Sequence, residues 1–283
     1  MDRHASQANQ ASQEWVRLVA EPAAGIEALR AHFTRHSYDR HSHETYSIGM
    51  TEMGSQSFRC RGTLHRTRPG AVMLFNPAEV HDGYPTDAAG FTYRMVYLPV
   101  PLLRDWAADL CGHAGAEPLF RQPLLLDAEL AGHIATAFDR LMQQDGRLWR
   151  DEAMLAAIGL LLSRHGDVVP AAMRGEAPGL RRARDLLEAS LYQDIGIADL
   201  AAAAGISRYH LARGFRRRFG LSPSEYRRQQ RLREARRLIA SGSSLADAAV
   251  ATGFVDQAHF SRHFKASYGV TPGRWRTAIR PHR

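Results

Sequence analysis

The chain has 283 residues, 45% hydrophobic and 23% charged, which excludes wholesale disorder and leaves room for two domains at roughly 100–200 residues each. Its richest apolar run, Ala153–Leu162, is about half the ~18 residues a membrane span needs. The net charge of +8 is unevenly placed: residues 179–283 hold 20 Lys+Arg against 8 Asp+Glu, or +12, while residues 1–178 hold 17 against 21, or −4.

In chain order, Met1–Glu14 is polar and lacks the apolar core of a signal peptide, so a cytoplasmic address without a membrane partner is expected. Ser47–Met53, Gln56–Gly62, Ala71–Phe75 and Phe91–Leu98 read as strands, bounded by Gly54, Pro69-Gly70, Asn76-Pro77 and the Pro85–Gly90 loop. Strands at this spacing predict a sandwich or barrel rather than βαβ units. Cys60 and Cys111 form no CxxC pair and predict neither a disulfide framework nor a zinc knuckle. From Asp127 the period becomes helical through Leu130, Ile134, Phe138 and Leu141, and a second apolar helix covers about Asp151–Arg164. Gly166–Gly179, with two Pro and three Gly, reads as a linker, after which the pattern is helical.

The basic half contains an internal repeat. At an offset of 48, Ile197 matches Leu245, Asp199 matches Asp247 and Gly205 matches Gly253. At an offset of 49, His210 matches His259, Arg213 matches Arg262, Phe215 matches Phe264, Pro223 matches Pro272 and Tyr226 matches Trp275. A duplication with one extra residue in the second turn accounts for both. Each unit predicts a short helix ending at glycine, then a helix capped by Ser207 or Asp256. In that second helix Leu211 and Phe215, or Phe260 and Phe264, face inward. Arg208, Tyr209, Ala212, Arg213 and Arg216 are left on the outer face of the first unit. Gln257, Ala258, Ser261, Arg262 and Lys265 take those places in the second. Ser222-Pro-Ser-Glu225 is a capping box opening a helix to about Ser241, roughly 27 Å long at 1.5 Å per residue. That is close to the ~34 Å of one DNA turn, so two reading heads on one strut are positioned for successive major grooves. Every basic residue except Lys265 is arginine, the side chain suited to phosphate and guanine.

The run Gly253–Arg262, followed by Phe264-Lys265 and Gly269-Val-Thr-Pro272, resembles the signature of AraC/XylS-family transcription regulators across roughly Leu180–Arg276. The resemblance implies base contacts from Arg208, Tyr209 and Arg213 in the first recognition helix and from Gln257 and Arg262 in the second. Together with the outer-face and cap positions, this makes Ser207, Arg208, Tyr209, Arg213, Arg216, Asp256, Gln257, Arg262 and Lys265 the expected DNA-binding set. Ala212 stands where other members carry a long polar residue.

Arg40-His41-Ser-His43-Glu44, Pro69-Gly70 and Asn76–His81 resemble the cupin barrel that carries the effector site in many of these regulators. Cupin enzymes hold a metal with HxH, a carboxylate three to four residues later and a distant histidine. Here Ser47 and Ile48 occupy the carboxylate positions, so the preferred reading has His41, His43 and His81 hydrogen-bonding at the barrel mouth, with no metal and no cofactor. The expected effector residues are His41, His43, Tyr46, His81 and Arg94, with Tyr93 and Tyr97 as further lining candidates. Arg94 suits a carboxylate-bearing ligand, although strand alternation puts it on the opposite face from Tyr93 and Tyr97. The helical pair resembles the dimerisation element of such regulators, with Leu155, Ile158, Leu161 and Leu162 as its stripe.

The fold expected is α+β: a cupin-like β-barrel with a helical pair over residues 1–165, a linker over 166–179, and an all-α double helix-turn-helix domain over 180–283. The function expected is an effector-controlled, sequence-specific transcription regulator with no catalytic residues, engaging double-stranded DNA, a small molecule, RNA polymerase and a second copy of itself. The alternative is a cupin-type metalloenzyme fused to a DNA-tethering domain.

Overall fold

The computed structural model describes residues 14–112, 117–143, 146–167, 179–268 and 270–279. The chain forms two compact units, Met1–Arg174 and Gly175–Arg283. Most of the stretch read as a linker lies outside the described residues.

Among the described residues the first unit has ten strands: β1 (Trp15–Glu21), β2 (Ile26–Phe33), β3 (Tyr38–His41), β4 (Tyr46–Gly54), β5 (Gln56–Cys60), β6 (Thr63–Arg66), β7 (Val72–Phe75), β8 (His81–Pro85), β9 (Phe91–Leu98) and β10 (Leu124–Leu125). They form a six-stranded sheet, β1-β2-β9-β4-β7-β10, and a four-stranded sheet, β3-β8-β5-β6. The expected barrel is therefore two packed sheets rather than one continuously hydrogen-bonded cylinder. Phe58 and Cys60 of the smaller sheet share a core with Ala31, Phe33, Met73, Phe75, Phe91, Tyr93 and Met95 of the larger. Backbone approach at the sheet end requires glycine. A Cβ on Gly54, at φ +68°, would lie 2.0 Å from the Gly90 carbonyl oxygen.

Among the described residues this unit also has the helices α1 (Val100–Cys111), α2 (Ala128–Met142) and α3 (Arg147–His165). Asp127 caps α2, its Oδ1 accepting from the Leu130 amide at 3.0 Å, and Arg164 and His165 at the end of α3 also donate to that carboxylate. The Leu130 amide, then His165, then Arg164 hold the Asp127 carboxyl down to about 2. Because its pKa is depressed on folding, the stabilisation is complete well above the ordinary value of 3.8 and disappears as pH falls toward 2. Asp127→Ala is expected to cost about 1 kcal/mol at pH 7, as N-cap removals do. Urea titrations of mutant and wild type at pH 7 and pH 3 should show the difference shrinking at the lower pH; a constant difference would contradict the assignment.

The stripe expected to dimerise is engaged within the chain: Leu155, Ile158, Leu161 and Leu162 are all at most 5% exposed. Helix α3 packs on α2 and α1, so that apolar face is already covered without a second copy.

Among the described residues the second unit is all helical: α4 (Leu180–Ala189), α5 (Ile197–Ala204), α6 (Arg208–Phe219), α7 (Pro223–Ala240), α8 (Leu245–Ala251), α9 (Gln257–Tyr268) and α10 (Pro272–Ile279). The expected caps form. Ser207 accepts from the His210 amide, Asp256 accepts from the His259 amide at 2.6 Å, and Ser222 with Glu225 completes a capping box ahead of Pro223. Gly205 (φ +67°) and Gly253 (φ +74°) take the left-handed turn that separates the two helices of each unit. Leu211, Phe215, Phe260 and Phe264 are fully buried, as their spacing implied.

Candidate nucleic-acid interface and effector cavity

Burying Leu211 and Phe215 on one side of α6 turns the rest of that helix outward. Arg213 and Arg216 are exposed, and Ser207, Arg208 and Tyr209 are half-buried. The Arg213 guanidinium lies 5.5 Å from the Tyr209 ring centroid and donates to its hydroxyl at 3.3 Å, which pre-orients a planar fork on the outer face. On α9 the equivalent burial of Phe260 and Phe264 leaves Gln257, Arg262 and Lys265 exposed, with Asp256 exposed at its start. The exposed Ala258 and half-buried Ser261 keep this surface low between the long side chains. Between the two helix-turn-helix repeats runs α7, whose 18 residues span about 27 Å.

In the first unit a cavity of about 60 Å³ opens between the two sheets. His41 and His81 are cross-strand partners in β3 and β8, and His43 follows two residues after His41. Strand pairing sets His41 against His81, and His43 in the loop after β3 joins them at the cavity, with ring nitrogens of the three within 4.8 Å of one another. Phe75 stacks on His81 at 3.8 Å between centroids, and Tyr97 lies 4.9 Å from His43. Burial pushes the His81 imidazole down to about 4, and burial with the neighbouring His41 lowers His43, so at pH 7 His81 is neutral. Burial raises the Tyr93 and Tyr97 phenols above their ordinary range, leaving both as hydroxyls; Tyr93 pairs with the Tyr38 hydroxyl at 2.7 Å.

The structure places two of the expected effector residues away from this cavity. Tyr46 is 1% exposed and its hydroxyl donates to the Pro118 carbonyl at 2.7 Å, away from the cavity. Arg94 lies on the other face of the large sheet, paired with Glu52 and Asp139 and 4.9 Å from the Phe138 ring of α2. Alternation along β9 is the reason: Tyr93, Met95 and Tyr97 line the cavity, and the residue between the first two points the opposite way.

Residues 23–161 match the AraC-like ligand binding domain, and residues 200–278 match a helix-turn-helix domain. The chain belongs to the AraC family of transcription regulators. It is 27% identical over 243 residues to the HTH-type transcriptional regulator YbfI of Bacillus subtilis, covering 86% of this chain and 88% of that one. It is 29% identical over 247 residues to the arabinose operon regulatory protein of Salmonella typhimurium, covering 82% and 83%. A solved AraC-type regulator from Chromobacterium violaceum is similar over 36% of this chain and 92% of its own, at 32% identity and a TM-score of 0.34. Regulators among the relatives favour the transcription reading over the cupin enzyme.

In this AraC-family regulator several arginines counted toward the basic face perform structural work. Arg231 of α7 donates to the Leu191 carbonyl at 2.8 Å and the Gly253 carbonyl at 2.9 Å. Arg227, one turn earlier and 4% exposed, donates to the Gln193 carbonyl, and Arg182 donates to the Ala203 and Ala204 carbonyls at the end of α5. Nothing in the local sequence separates these from surface arginines, since all carry the same charge and helical spacing. Ser47, read from the sequence only as standing in a carboxylate position, is fully buried, its Oγ has no hydrogen-bond partner, and it pairs in register with the cavity residues Phe75 and Tyr97. Cys60 is buried, which with Glu79 nearby pushes its thiol up to about 11 and leaves it an unreactive core group. No helix among the described residues is long and apolar enough to cross a membrane.

Proposed function

We propose that the cavity between the sheets takes a small-molecule effector whose binding changes the affinity of the two helix-turn-helix units for DNA. Such coupling requires the effector to bind the two arrangements of the protein with different affinity. Arg208, Tyr209 and Arg213 read bases from α6, and Gln257 and Arg262 read them from α9. Arg216 and Lys265 neutralise phosphates, while Ser207 and Asp256 fix the starts of the two recognition helices by accepting from the His210 and His259 amides. The protein performs no catalysis; it works in the cytoplasm with RNA polymerase and with a second copy of itself, paired through a surface other than the buried α3 stripe. The observation that carries this reading is the duplicated unit: two capped helices, each burying a pair of apolar residues and exposing arginine on its outer face.

Footprinting of the full chain on DNA flanking its own gene, at several salt concentrations, tests the reading. The expected result is protection of about two helical turns or more, weakening steeply as salt rises because bound arginines release counterions. Protection confined to one half-turn, or insensitive to salt, would overturn the paired-head assignment.

A further inference from the structure

We propose that His41, His43 and His81 bind a divalent transition-metal ion in the cavity between the two sheets. The inference concerns the cavity assigned above to the effector, but it stands on the histidines and their surroundings.

The geometry of the second partners carries it. The His41 Nδ1 lies 2.7 Å from the Asp39 carbonyl oxygen, and the His81 Nδ1 lies 2.9 Å from the Glu79 carbonyl oxygen. A carbonyl only accepts, so each ring donates from Nδ1, and in its neutral form the lone pair stands on Nε2. This carbonyl–imidazole arrangement orients metal-binding histidines and fixes their tautomer. The ring nitrogens of three histidines converge within 4.8 Å, and among the described residues no side chain donates a hydrogen bond to His41 Nε2 or His81 Nε2. Stacking on Phe75 fixes the ring plane of His81. Convergent imidazole acceptors without a donor repel one another, and a bound cation removes that repulsion. Three imidazoles suit zinc, nickel, cobalt or iron and leave coordination positions open.

Ser47 supplies an independent observation. Its buried, unpartnered Oγ sits on the large sheet between Phe75, which stacks on His81, and Tyr97, which touches His43. A buried hydroxyl of this kind lacks a hydrogen-bond partner that a water or oxygen ligand on the ion would provide. The cavity of about 60 Å³ has room for roughly four water-sized groups at ~10–15 Å³ each, enough for an ion with small oxygen ligands. Three neutral imidazoles leave the full positive charge on the ion, and with Arg94 on the opposite sheet face the ion becomes the cavity's attraction for an anionic oxygen donor.

Cobalt(II) titration of untagged, metal-stripped full-length protein tests this, followed by visible absorption and by metal content after desalting. Wild type is expected to retain one cobalt per chain with a d–d spectrum indicating nitrogen ligands. His43→Gln and His41→Gln are each expected to weaken binding at least ~100-fold, since even supporting partners of a ligand account for 10–100-fold. Ser47→Ala should leave stoichiometry unchanged and shift the spectrum. His259→Ala/His263→Ala, which alters the other histidine pair, should bind as wild type. Thermal unfolding in metal-free buffer identifies any variant that fails to fold, and the other glutamine variant then supplies the comparison. Less than 0.2 equivalents retained by wild type (~ a fifth of full occupancy), or undiminished retention by both glutamine variants, would overturn the proposal. Footprinting reads DNA recognition separately, so failure of the metal site and failure of the regulatory reading are distinguishable.

Discussion

Arg213→Ala combined with Arg262→Ala is expected to remove most of the protein's preference for its operator over random DNA. Each guanidinium is exposed on the outer face of a different recognition helix, and each lies two residues before a buried phenylalanine that holds the helix in place. A bidentate arginine–guanine contact contributes about 1–3 kcal/mol of discrimination. The two side chains serve separate heads, so their losses should add to about 2–6 kcal/mol, or roughly 30-fold to 10⁴-fold in specific affinity. Competition binding against random duplex measures the ratio directly. Arg216→Ala is the comparison: it should weaken specific and random binding alike and lower the salt dependence by about one phosphate. If the double variant kept the wild-type ratio, sequence reading would have to come from other residues.

Arg231→Met is expected to destabilise the second unit by about 2–4 kcal/mol and to weaken operator binding beyond that through poorer alignment of the heads. The guanidinium ties the Leu191 carbonyl, ahead of α5, to the Gly253 carbonyl in the turn before α9, both through α7. Charge-assisted hydrogen bonds contribute about 1.5–3 kcal/mol each, less what water recovers at exposed carbonyls. Methionine keeps much of the apolar stem, so the measured difference isolates the guanidinium. Burial and the neighbouring Arg227 lower the Arg231 group to about 10, so it remains charged and the bridge persists at pH 7. Urea denaturation of the full chain, wild type against variant, reads the stability. A change under 0.5 kcal/mol (about the scatter of a surface substitution) would show that the bridge does not hold the units together.

The DNA-binding unit was the more legible half because its information is local. Caps at Ser207, Ser222 and Asp256, left-handed turns at Gly205 and Gly253, and burial of Leu211, Phe215, Phe260 and Phe264 all lie within a few residues of the signals that announce them. The sheet unit was less so. Strands such as β1 and β3 mix charged and apolar residues without strict alternation. Helix α1 was not anticipated although Leu103, Trp106, Ala107 and Leu110 repeat at helical spacing and are buried, because Pro99 and Pro101 frame its start like a loop.

The sequence by itself determined the repeat, the caps, the outward arginines of the recognition helices and the opposite facing of Arg94 and Tyr93, because each follows from helix or strand period acting on adjacent residues. Only the tertiary structure decided which charges are used where. The pairing of β3 with β8 brings His41 against His81 across a separation of 40 residues, α2 covers Arg94, and folding of α7 against its neighbours in the second unit turns Arg227 and Arg231 from surface cations into carbonyl clamps. Period fixes the side of an element on which a residue stands; long-range packing alone decides what stands opposite it, and the chemistry of the cavity and of the strut depends on that opposing partner.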